Sequence, residues 1–390
     1  MSPLCESYLP PERLNQMEPF YPLQVWVCGS CFLVQLEQYV AAEDIFSEYA
    51  YFSSYATSWV RHAEEYVAAM VKRLQLGSQS FVVELASNDG YLLQWFVRRA
   101  IPCLGIEPAA NVAAAARERG VDTLVAFFDQ KLGATLASEG KQADLIVGNN
   151  VLAQVSELNS FVAGIRKLLK PTGTATLEFP HLQRLVEGNQ FDTIYHEHFS
   201  YFSLLSAERI FAEHGLAIFD VDELWTHGGS LRIYARRAED SSRPVSERVH
   251  LLRRREEDLG YGKLETYCAF EQRVHATKRR LLELLIRARD AGARVAGYGA
   301  PGKGNTLLNF CGIRTDLVEF TVDRNPYKQG KFLPGTHIPI FAPERIDEAR
   351  PDYILVLPWN FRDEIMAQLA HARGWGAKFI VPIPEATVLA

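Results

Sequence analysis

Short apolar runs that alternate with helically spaced segments organise the middle of the chain. Residues 81–85 are mostly apolar, polar and small residues follow as far as Gly90, and apolar positions in 91–96 recur at helical spacing. This pattern predicts a buried strand, a tight turn and the start of a helix. Asn88 and Asp89 favour the turn together with the glycine, because all three residue types tolerate left-handed backbone.

The same alternation continues to about residue 180. It predicts helices over 57–74, 110–118 and 161–169 and strands over 103–106, 123–125, 143–150 and 174–179. Strands that alternate with helices are typical of a parallel, doubly wound sheet. Glu84, Glu107 and Asn149 mark polar ends of three of these strands, so we expect them at the edge where such sheets bind ligands.

A second alternating region follows a charged stretch. Residues 241–291 are rich in charge and in helix formers, which predicts a helical connector. Three glycines in 297–302 match G-x-G-x-x-G, Asp323 closes the next strand, and Lys303 adds a cation for a phosphate at the helix start. We therefore predict an α/β protein with two Rossmann-like doubly wound domains joined by a helical segment, and a small N-terminal segment that contains cysteines.

The bulk composition is that of an ordinary soluble globular protein. Of the 390 residues, 48% are hydrophobic and 23% are charged, and the net charge of −6 gives no basic footprint for nucleic acid. No apolar run reaches the length of a membrane span, and the first residues lack the regions of a signal peptide. The six cysteines have no disulfide-type spacing. We expect a cytoplasmic, monomeric enzyme that acts on a small molecule.

The turn that ends at Gly90 favours one class of nucleoside ligand. It carries a single glycine where dinucleotide turns have G-x-G-x-x-G, so a pyrophosphate has less room to approach the backbone. Glu107, at the end of the next strand, can bind both hydroxyls of a ribose that lies over the turn. These two features favour S-adenosylmethionine over a dinucleotide. A strand and turn without special function remain the alternative.

Histidines and acids cluster later in the chain. Tyr195, His196, Glu197 and His198 stand in direct succession, and His227 precedes two glycines. The three histidines are either metal ligands, structural histidines with satisfied hydrogen bonds, or groups for acid–base catalysis. We favour the last interpretation, because a histidine oriented by a neighbouring carboxylate can take a proton near neutral pH.

Cys28 and Cys31 form a C-x-x-C pair, which is half of a structural zinc knuckle. Cys5 is the only other cysteine nearby, and no histidine precedes His62. The pair is therefore either two reduced thiols in a turn or an incomplete zinc site. The aromatic run at 48–55 is either core or a polar pocket lined by tyrosine hydroxyls.

Taken in their order along the chain, these segments and motifs resemble the sugar C-methyltransferases of deoxysugar biosynthesis over nearly the whole sequence. The marks of the resemblance are residues 84–90, 195–199, 227–229, 297–300 with Lys303, and 309–313. It implies an N-terminal segment with a partial zinc knuckle and an aromatic region (1–75), a class I S-adenosylmethionine-dependent methyltransferase core (76–240), a helical connector (241–292) and a C-terminal Rossmann-like nucleotide-sugar-binding domain (293–390).

The resemblance also implies a reaction and its residues. Members of this family place a methyl group from S-adenosylmethionine on C-3 of a nucleotide-linked 4-keto sugar, after a base has removed the C-3 proton. The family pattern Y-x-E-H places the base at His198, with Tyr195 and Glu197 beside it and Tyr51 in the same cleft. The implied donor contacts are Glu84, Ala86, Asn88, Gly90, Glu107, Phe128 and Asn149, and the implied substrate contacts are His227, Tyr298, Lys303 and Asn309.

The chain departs from the family pattern in two places. The family carries a four-cysteine zinc site near its start, and only Cys28 and Cys31 remain here, so we expect Met1 to be an internal start and zinc affinity to be lost or greatly reduced. Gln154 stands where the family has histidine, and its amide can hydrogen-bond an enolate oxygen but cannot titrate. Two other functions stay open: an NAD-dependent oxidoreductase that uses the second glycine turn, and a catalytically degenerate paralogue that only binds nucleotide sugars.

Overall fold

The computed structural model of the chain describes residues 1–46, 52–55 and 57–390. These residues form two compact units, each of which is discontinuous in sequence. The C-terminal unit comprises Met1–Trp26, Leu182–His198 and Lys263–Ala390, and the central unit comprises Val27–His181 and Phe199–Gly262. The units do not follow the predicted domain bounds, because residues 182–198 group with the C-terminal unit and the predicted connector 241–292 is divided between the two.

Strands and helices alternate through most of both units. The strands are β1 (Val25–Val27), β2 (Val34–Leu36), β3 (Val82–Leu85), β4 (Cys103–Ile106), β5 (Thr123–Leu124), β6 (Ala143–Asn149), β7 (Leu169–Pro180), β8 (Ser200–Tyr201), β9 (Leu216–Leu224), β10 (Ser230–Arg237), β11 (Val295–Tyr298), β12 (Thr321–Val322), β13 (Ile340–Phe341), β14 (Tyr353–Val356), β15 (Lys378–Val381) and β16 (Thr387–Leu389). The α-helices are α1 (Ala42–Phe46), α2 (Thr57–Leu74), α3 (Gln94–Val97), α4 (Ala110–Glu118), α5 (Gln130–Ser138), α6 (Leu158–Leu168), α7 (Leu182–Glu187), α8 (Leu204–Glu213), α9 (Glu247–Asp258), α10 (Leu264–Asp290), α11 (Gly302–Cys311), α12 (Arg345–Ala349) and α13 (Arg362–Gln368). Short 3-10 helices lie at Pro11–Arg13, Ser53–Tyr55, Leu152–Gln154, Phe191–Thr193, Thr226–Gly228, Trp359–Phe361 and Ala370–Trp375.

The central unit is built on a seven-stranded sheet of order β5-β4-β3-β6-β7-β10-β9. Its first five strands are parallel to their neighbours, and β10 runs antiparallel to both β7 and β9. Consecutive residues Leu145 and Ile146 on β6 face different buried clusters, so apolar side chains cover both faces of the sheet. The predicted parallel, doubly wound sheet is confirmed for β3 to β7, whereas the sequence did not predict the antiparallel β10.

The C-terminal unit contains a six-stranded sheet of order β13-β12-β11-β14-β15-β16. It is parallel except for β16, which pairs antiparallel with β15. The strand order is that of a Rossmann-like sheet, as predicted. Residues of the N-terminal segment belong to this unit, because Leu9 exchanges two backbone hydrogen bonds with Phe332, with N···O distances of 3.0 and 2.8 Å.

The bounds of several helices and strands can be compared with those predicted from the sequence. Helices α2 and α4 begin and end where the pattern predicts. The strand predicted over 174–179 is longer than expected, because β7 begins at Leu169 and runs through residues 170–173. The pairing of β6 with β7 shifts register between Ala143 and Leu145, and such irregular pairing tolerates a proline such as Pro171 within a strand.

Two smaller features complete the fold. A separate three-stranded sheet has the order β1-β2-β8. Each helix within the described residues is too short or too polar to cross a membrane.

Candidate functional site

The turn that follows β3 has a left-handed backbone at three positions. Ala86, Asn88 and Gly90 have φ values of 53°, 49° and 76°. A Cβ at position 90 would lie 3.0 Å from Cγ2 of Val121 and 3.3 Å from Cβ of Ala116, so glycine is required there. Left-handed backbone costs about 1–2 kcal/mol at a residue other than glycine, and such strain clusters at functional sites.

Glu107, directly after β4, holds this turn with its carboxylate. Oε2 accepts the N–H of Asn88 at 2.9 Å, and Oε1 accepts the N–H of Ala109 at 2.9 Å. Burial raises the pKa of the Glu107 carboxyl, and the two N–H donors partly offset that shift. Because each carboxylate oxygen has two lone pairs, both oxygens keep an acceptor position for a ligand hydroxyl.

Glu84 on β3 and Asn149 at the end of β6 supply buried polar atoms that have no hydrogen-bond partner among the described residues. This holds for both carboxyl oxygens of Glu84 and for both side-chain polar atoms of Asn149. Burial, and then the negative charges of Glu107 and Asp89, raise the pKa of Glu84 well above its usual value. Because an unpaired buried polar atom is costly, these groups fit a ligand that brings hydroxyl and amino groups, such as S-adenosylmethionine.

Phe128 and Gln154 are further predicted residues of the central unit. Phe128 is half-buried, and its ring packs edge-on against Phe161 with centroids 5.4 Å apart. Gln154 is half-buried at the end of a 3-10 helix, and the preceding residue, Ala153, accepts the N–H of Phe199 at 2.7 Å. The roles beside the adenine and the enolate oxygen stay predictions for these two residues.

His227 lies near the carboxyl end of β6. Nδ2 of Asn150 lies 2.6 Å from Nε2 of His227, and both residues have a φ of 54°. The ring of Trp59 meets the imidazole edge-on, with centroids 5.1 Å apart. The structure therefore brings His227 to the residue that follows Asn149, within the same unit as the predicted donor residues.

A buried ion pair supports the segment after β9. Arg232 donates to Oε2 of Glu178 at 2.5 Å, and Nε2 of His62 lies 3.0 Å from the same oxygen. Thr226 donates from its hydroxyl to Oε1 of Glu178 at 2.9 Å. Burial alone would raise the pKa of Glu178, but the hydrogen bond from His62 and the charge of Arg232 lower it to about 2. The sequence analysis missed this cluster, although an acidic residue within the apolar strand 174–179 indicates a buried partner of opposite charge.

In the C-terminal unit, His198 is oriented by its own loop. Its Nδ1 donates to the carbonyl of Thr193 at 3.1 Å, and the ring of Tyr195 packs against the imidazole with centroids 4.2 Å apart. A carbonyl oxygen can only accept a hydrogen bond, so Nδ1 carries the hydrogen and Nε2 of a neutral His198 is unprotonated. This is the protonation pattern that a general base requires.

Glu197 and His196 contact the N-terminal segment. Cys5 donates from Sγ to Oε1 of Glu197 at 3.5 Å, and Nε2 of His196 donates to the carbonyl of Pro22 at 3.0 Å. Burial lowers the pKa of His196. His196 therefore fits the structural interpretation, whereas His198 fits the acid–base interpretation.

The cysteines of the N-terminal region do not assemble a zinc site. No three histidine, cysteine or acidic side chains among the described residues come together as metal ligands. Backbone N–H groups of Cys31 and Ser30 lower the pKa of Cys28. Cys5 belongs to the C-terminal unit, where burial and the charge of Glu197 raise the pKa of its thiol. The two thiols of Cys28 and Cys31 do not fit a four-ligand zinc site.

The glycine turn after β11 is covered by the N-terminal segment. A Cβ on Gly302 would lie 2.8 Å from Sγ of Cys5, and the hydroxyl of Tyr8 donates to the carbonyl of Ala300 at 2.6 Å. Asp323 accepts the N–H of Ala300 at 2.7 Å and so stabilises the turn itself. Cys5 and Tyr8 therefore occupy the space beside the backbone of this turn that the pyrophosphate of a dinucleotide would need.

Lys303 belongs to a cluster with Asp192, Trp359 and Asn360. Its Nζ donates to Oδ1 of Asn360 at 3.0 Å and lies 4.7 Å from the centroid of the Trp359 ring. Trp359 donates from Nε1 to Oδ2 of Asp192 at 2.7 Å. Burial lowers the pKa of Lys303 and raises that of Asp192 to about 6, and the opposite charge of each residue partly offsets the shift of the other. The sequence analysis missed Asp192.

Tyr298 and Asn309 make contacts within the C-terminal unit. The hydroxyl of Tyr298 donates to Gln368 at 3.3 Å. The amide of Asn309 donates to the carbonyls of Asn305 and Pro334 at 2.8 and 3.0 Å. Their roles in substrate binding stay predictions, and Tyr51 lies outside the described residues.

Three family models match the chain. A methyltransferase domain matches residues 59–221, a C-methyltransferase C-terminal domain matches residues 225–384, and a candidate zinc-binding domain matches residues 1–46. The magnesium protoporphyrin IX methyltransferase of Synechocystis PCC 6803, solved with bound S-adenosylmethionine, is 14% identical over 46% of this chain and 79% of its own, with a TM-score of 0.35. An S-adenosylmethionine-dependent methyltransferase of Mesorhizobium loti is 15% identical over 46% of this chain and 100% of its own, with a TM-score of 0.37.

A curated relative matches the full length. The C-methyltransferase NovU of Streptomyces niveus is 37% identical over 388 residues, which cover 100% of this chain and 92% of the relative. This match confirms the predicted family resemblance and favours methyl transfer over nicotinamide chemistry. The chain belongs to the family of S-adenosylmethionine-dependent C-methyltransferases.

Proposed function

We propose that the chain transfers the methyl group of S-adenosylmethionine to C-3 of a nucleotide-linked 4-keto deoxysugar. The keto group acidifies the hydrogen on the neighbouring carbon. Removing that hydrogen as a proton gives an enolate, and the electron pair at C-3 forms the new carbon–carbon bond. Bound S-adenosylmethionine supplies the electrophilic methyl group, and the bond from that methyl to sulfur breaks as S-adenosylhomocysteine forms.

The observation that carries this proposal is the orientation of His198. The Thr193 carbonyl keeps the hydrogen on Nδ1, so Nε2 is the atom that takes the proton from C-3. The ring of Tyr195, tilted by 33° against the imidazole, limits its rotation. Once His198 is protonated, its bond to the carbonyl becomes charge-assisted and therefore stronger, which stabilises the imidazolium.

The enolate oxygen needs a hydrogen-bond donor, and Gln154 supplies one in this proposal. Its amide N–H can stabilise an oxyanion without releasing a proton. Gln154 follows the polar end of β6 by a few residues, in the 3-10 helix Leu152–Gln154. The resemblance to sugar C-methyltransferases implies a histidine at this position in the family.

Incubation with methyl-labelled S-adenosylmethionine and a panel of nucleotide 4-keto sugars tests the proposal. We expect the label on C-3 of one sugar, identified by mass spectrometry and carbon NMR of the product. Such a product would also exclude a catalytically degenerate paralogue. Transfer of label only to acceptors without a keto group would contradict the proposed substrate class.

Glu107→Ala is expected to weaken binding of S-adenosylhomocysteine about 10- to 100-fold. In the proposal, Glu107 binds the ribose hydroxyls, and a hydrogen bond to a charged group contributes about 1.5–3 kcal/mol. Isothermal titration calorimetry measures the change. Glu118→Ala, on the exposed face of α4, is the matched control, and equal affinities of the two variants would remove Glu107 from the donor site.

Lys303→Met is expected to weaken binding of the nucleotide sugar about 10-fold, because a charge-assisted bond to a phosphate is lost. Calorimetry with the matching nucleoside diphosphate measures this effect. Lys331→Met, which removes a lysine that lies over the Tyr327 ring in the same unit, is the control. An unchanged affinity in Lys303→Met would assign Lys303 to packing against Trp359.

A further inference from the structure

Two consecutive backbone N–H groups donate to side chains of the turn that follows β3. Ser53 donates to Oδ1 of Asn88 at 2.8 Å, and Ser54 donates to Oδ2 of Asp89 at 3.4 Å. Ser53, Asn88 and Asp89 are all buried, so water competes little for these bonds. The 3-10 helix Ser53–Tyr55 is thereby fastened to the turn.

Arg119, which directly follows α4, joins the same two elements from the protein surface. Its Nη1 lies 3.0 Å from Oδ2 of Asp89 and donates to the Asp89 carbonyl at 2.5 Å. Its Nη2 donates to the hydroxyl of Ser54 at 2.9 Å. One planar guanidinium therefore bridges the turn and the 3-10 helix, a role that suits its fork of donors.

Asn88 connects this bridge to the candidate donor site. Its N–H donates to Oε2 of Glu107, while its side chain accepts from Ser53. A ligand held by Glu107 restrains the carboxylate that fixes the Asn88 backbone, and through it the side chain that holds Ser53. The path consists of direct hydrogen bonds within one compact unit.

We propose that binding of the methyl donor at Glu107 is transmitted through Asn88 and Asp89 to Ser53 and Ser54, and that Arg119 is the positioning residue of this coupling. The inference rests on the proposed donor site. Coupling between two sites is reciprocal, so an ordered 3-10 helix also strengthens donor binding. In sequence the 3-10 helix is followed by α2, whose Trp59 contacts His227 on the proposed substrate side.

Hydrogen–deuterium exchange of the Ser53 and Ser54 amides, with and without S-adenosylhomocysteine, tests the coupling. We expect the ligand to slow exchange of both amides in the wild-type protein by about 10-fold, within the usual range of coupling between sites. In Arg119→Met the effect of the ligand should fall below about 2-fold. Ser54→Ala removes the same bridge from its other end and is expected to reduce the ligand effect at Ser53 in the same way. A purely structural role would speed exchange equally in the free and bound protein and would leave the ligand effect unchanged.

Calorimetry with S-adenosylhomocysteine adds a double-mutant cycle. Arg119→Met and Ser54→Ala should each weaken binding of S-adenosylhomocysteine about 5-fold. The double variant should bind with about the same affinity as the single variants, because both substitutions remove the same bridge. Arg98→Met, which removes an exposed arginine that donates to Gln94, is the matched control and should bind as the wild type does.

The outcomes separate this inference from the proposed function. Wild-type affinity and a wild-type ligand effect on exchange in both Arg119→Met and Ser54→Ala would overturn the coupling and leave the proposed function standing. A wild-type protein that does not bind S-adenosylhomocysteine would overturn both.

Discussion

His198→Asn is expected to lower the rate of methyl transfer by about 10²- to 10⁴-fold, the range that general acid–base catalysis contributes. Asparagine can still donate to the Thr193 carbonyl that now accepts from the imidazole. Its amide nitrogen is not basic at neutral pH, so the C-3 proton of the proposed substrate has no acceptor in place. The loss should fall on kcat, measured at saturating donor and sugar, because the missing step is chemical.

In the proposed reaction, exchange of the C-3 hydrogen with solvent deuterium separates proton removal from methyl transfer. We expect this exchange in the wild-type protein and in His196→Asn, since His196 donates to a backbone carbonyl of the N-terminal segment. We expect it to be lost in His198→Asn. Undiminished exchange in that variant would mean that another group is the base.

Arg232→Met is expected to lower the free energy of unfolding by about 3–5 kcal/mol, the usual cost of removing one partner from a buried ion pair. Glu178 has no exposed surface, so its carboxylate cannot gain water in place of the guanidinium. Urea unfolding followed by circular dichroism measures the change. In the control Arg254→Met, the lost pair with Glu247 is exposed, with side-chain accessibilities of 58% and 69%, and we expect a change below about 1 kcal/mol.

The Glu178 carboxylate also makes the stability of the protein depend on pH. The pKa of Glu178 is about 2 in the folded protein and 4.5 for an ordinary glutamate. A carboxyl whose pKa is lowered by folding contributes stability above the unfolded value and loses it as the pH falls through the folded one. Its contribution, about 3 kcal/mol, is therefore complete above about pH 4.5 and declines toward pH 2. In Arg232→Met the decline between pH 5 and pH 3 should be smaller, and an equal decline in both proteins would contradict this account.

Local patterns predicted local structure well. Strand β4 and helices α2 and α4 have the predicted bounds, because each is a single apolar pattern with a clear period. The antiparallel β10 between β7 and β9 was not predicted. Strand order is decided by pairing between distant segments, and a periodic pattern contains no information about its partner.

In the candidate site, too, features set by local sequence patterns were predicted and pairs of distant residues were not. The acids of β3 and β4 were predicted together, because parallel strands place their carboxyl ends at one edge of the sheet. Pairs such as Glu178 with Arg232, 54 positions apart, and Asp192 with Trp359, 167 positions apart, have no shared local pattern. The contacts of Cys5 and Tyr8 with the second glycine turn likewise join residues about 300 positions apart, and no local pattern predicted them.

The discontinuous units have a consequence for biosynthesis. Glu18 accepts the N–H of Gly335, which is added to the growing polypeptide 317 positions later. The central unit has all of its residues once Gly262 has left the ribosome, whereas Met1–Trp26 must wait for most of the remaining translation. Domains generally fold as units during synthesis, so the central unit is expected to fold first and Met1–Trp26 to dock later. A nascent chain stalled before Phe332 would therefore leave Met1–Trp26 open to proteases.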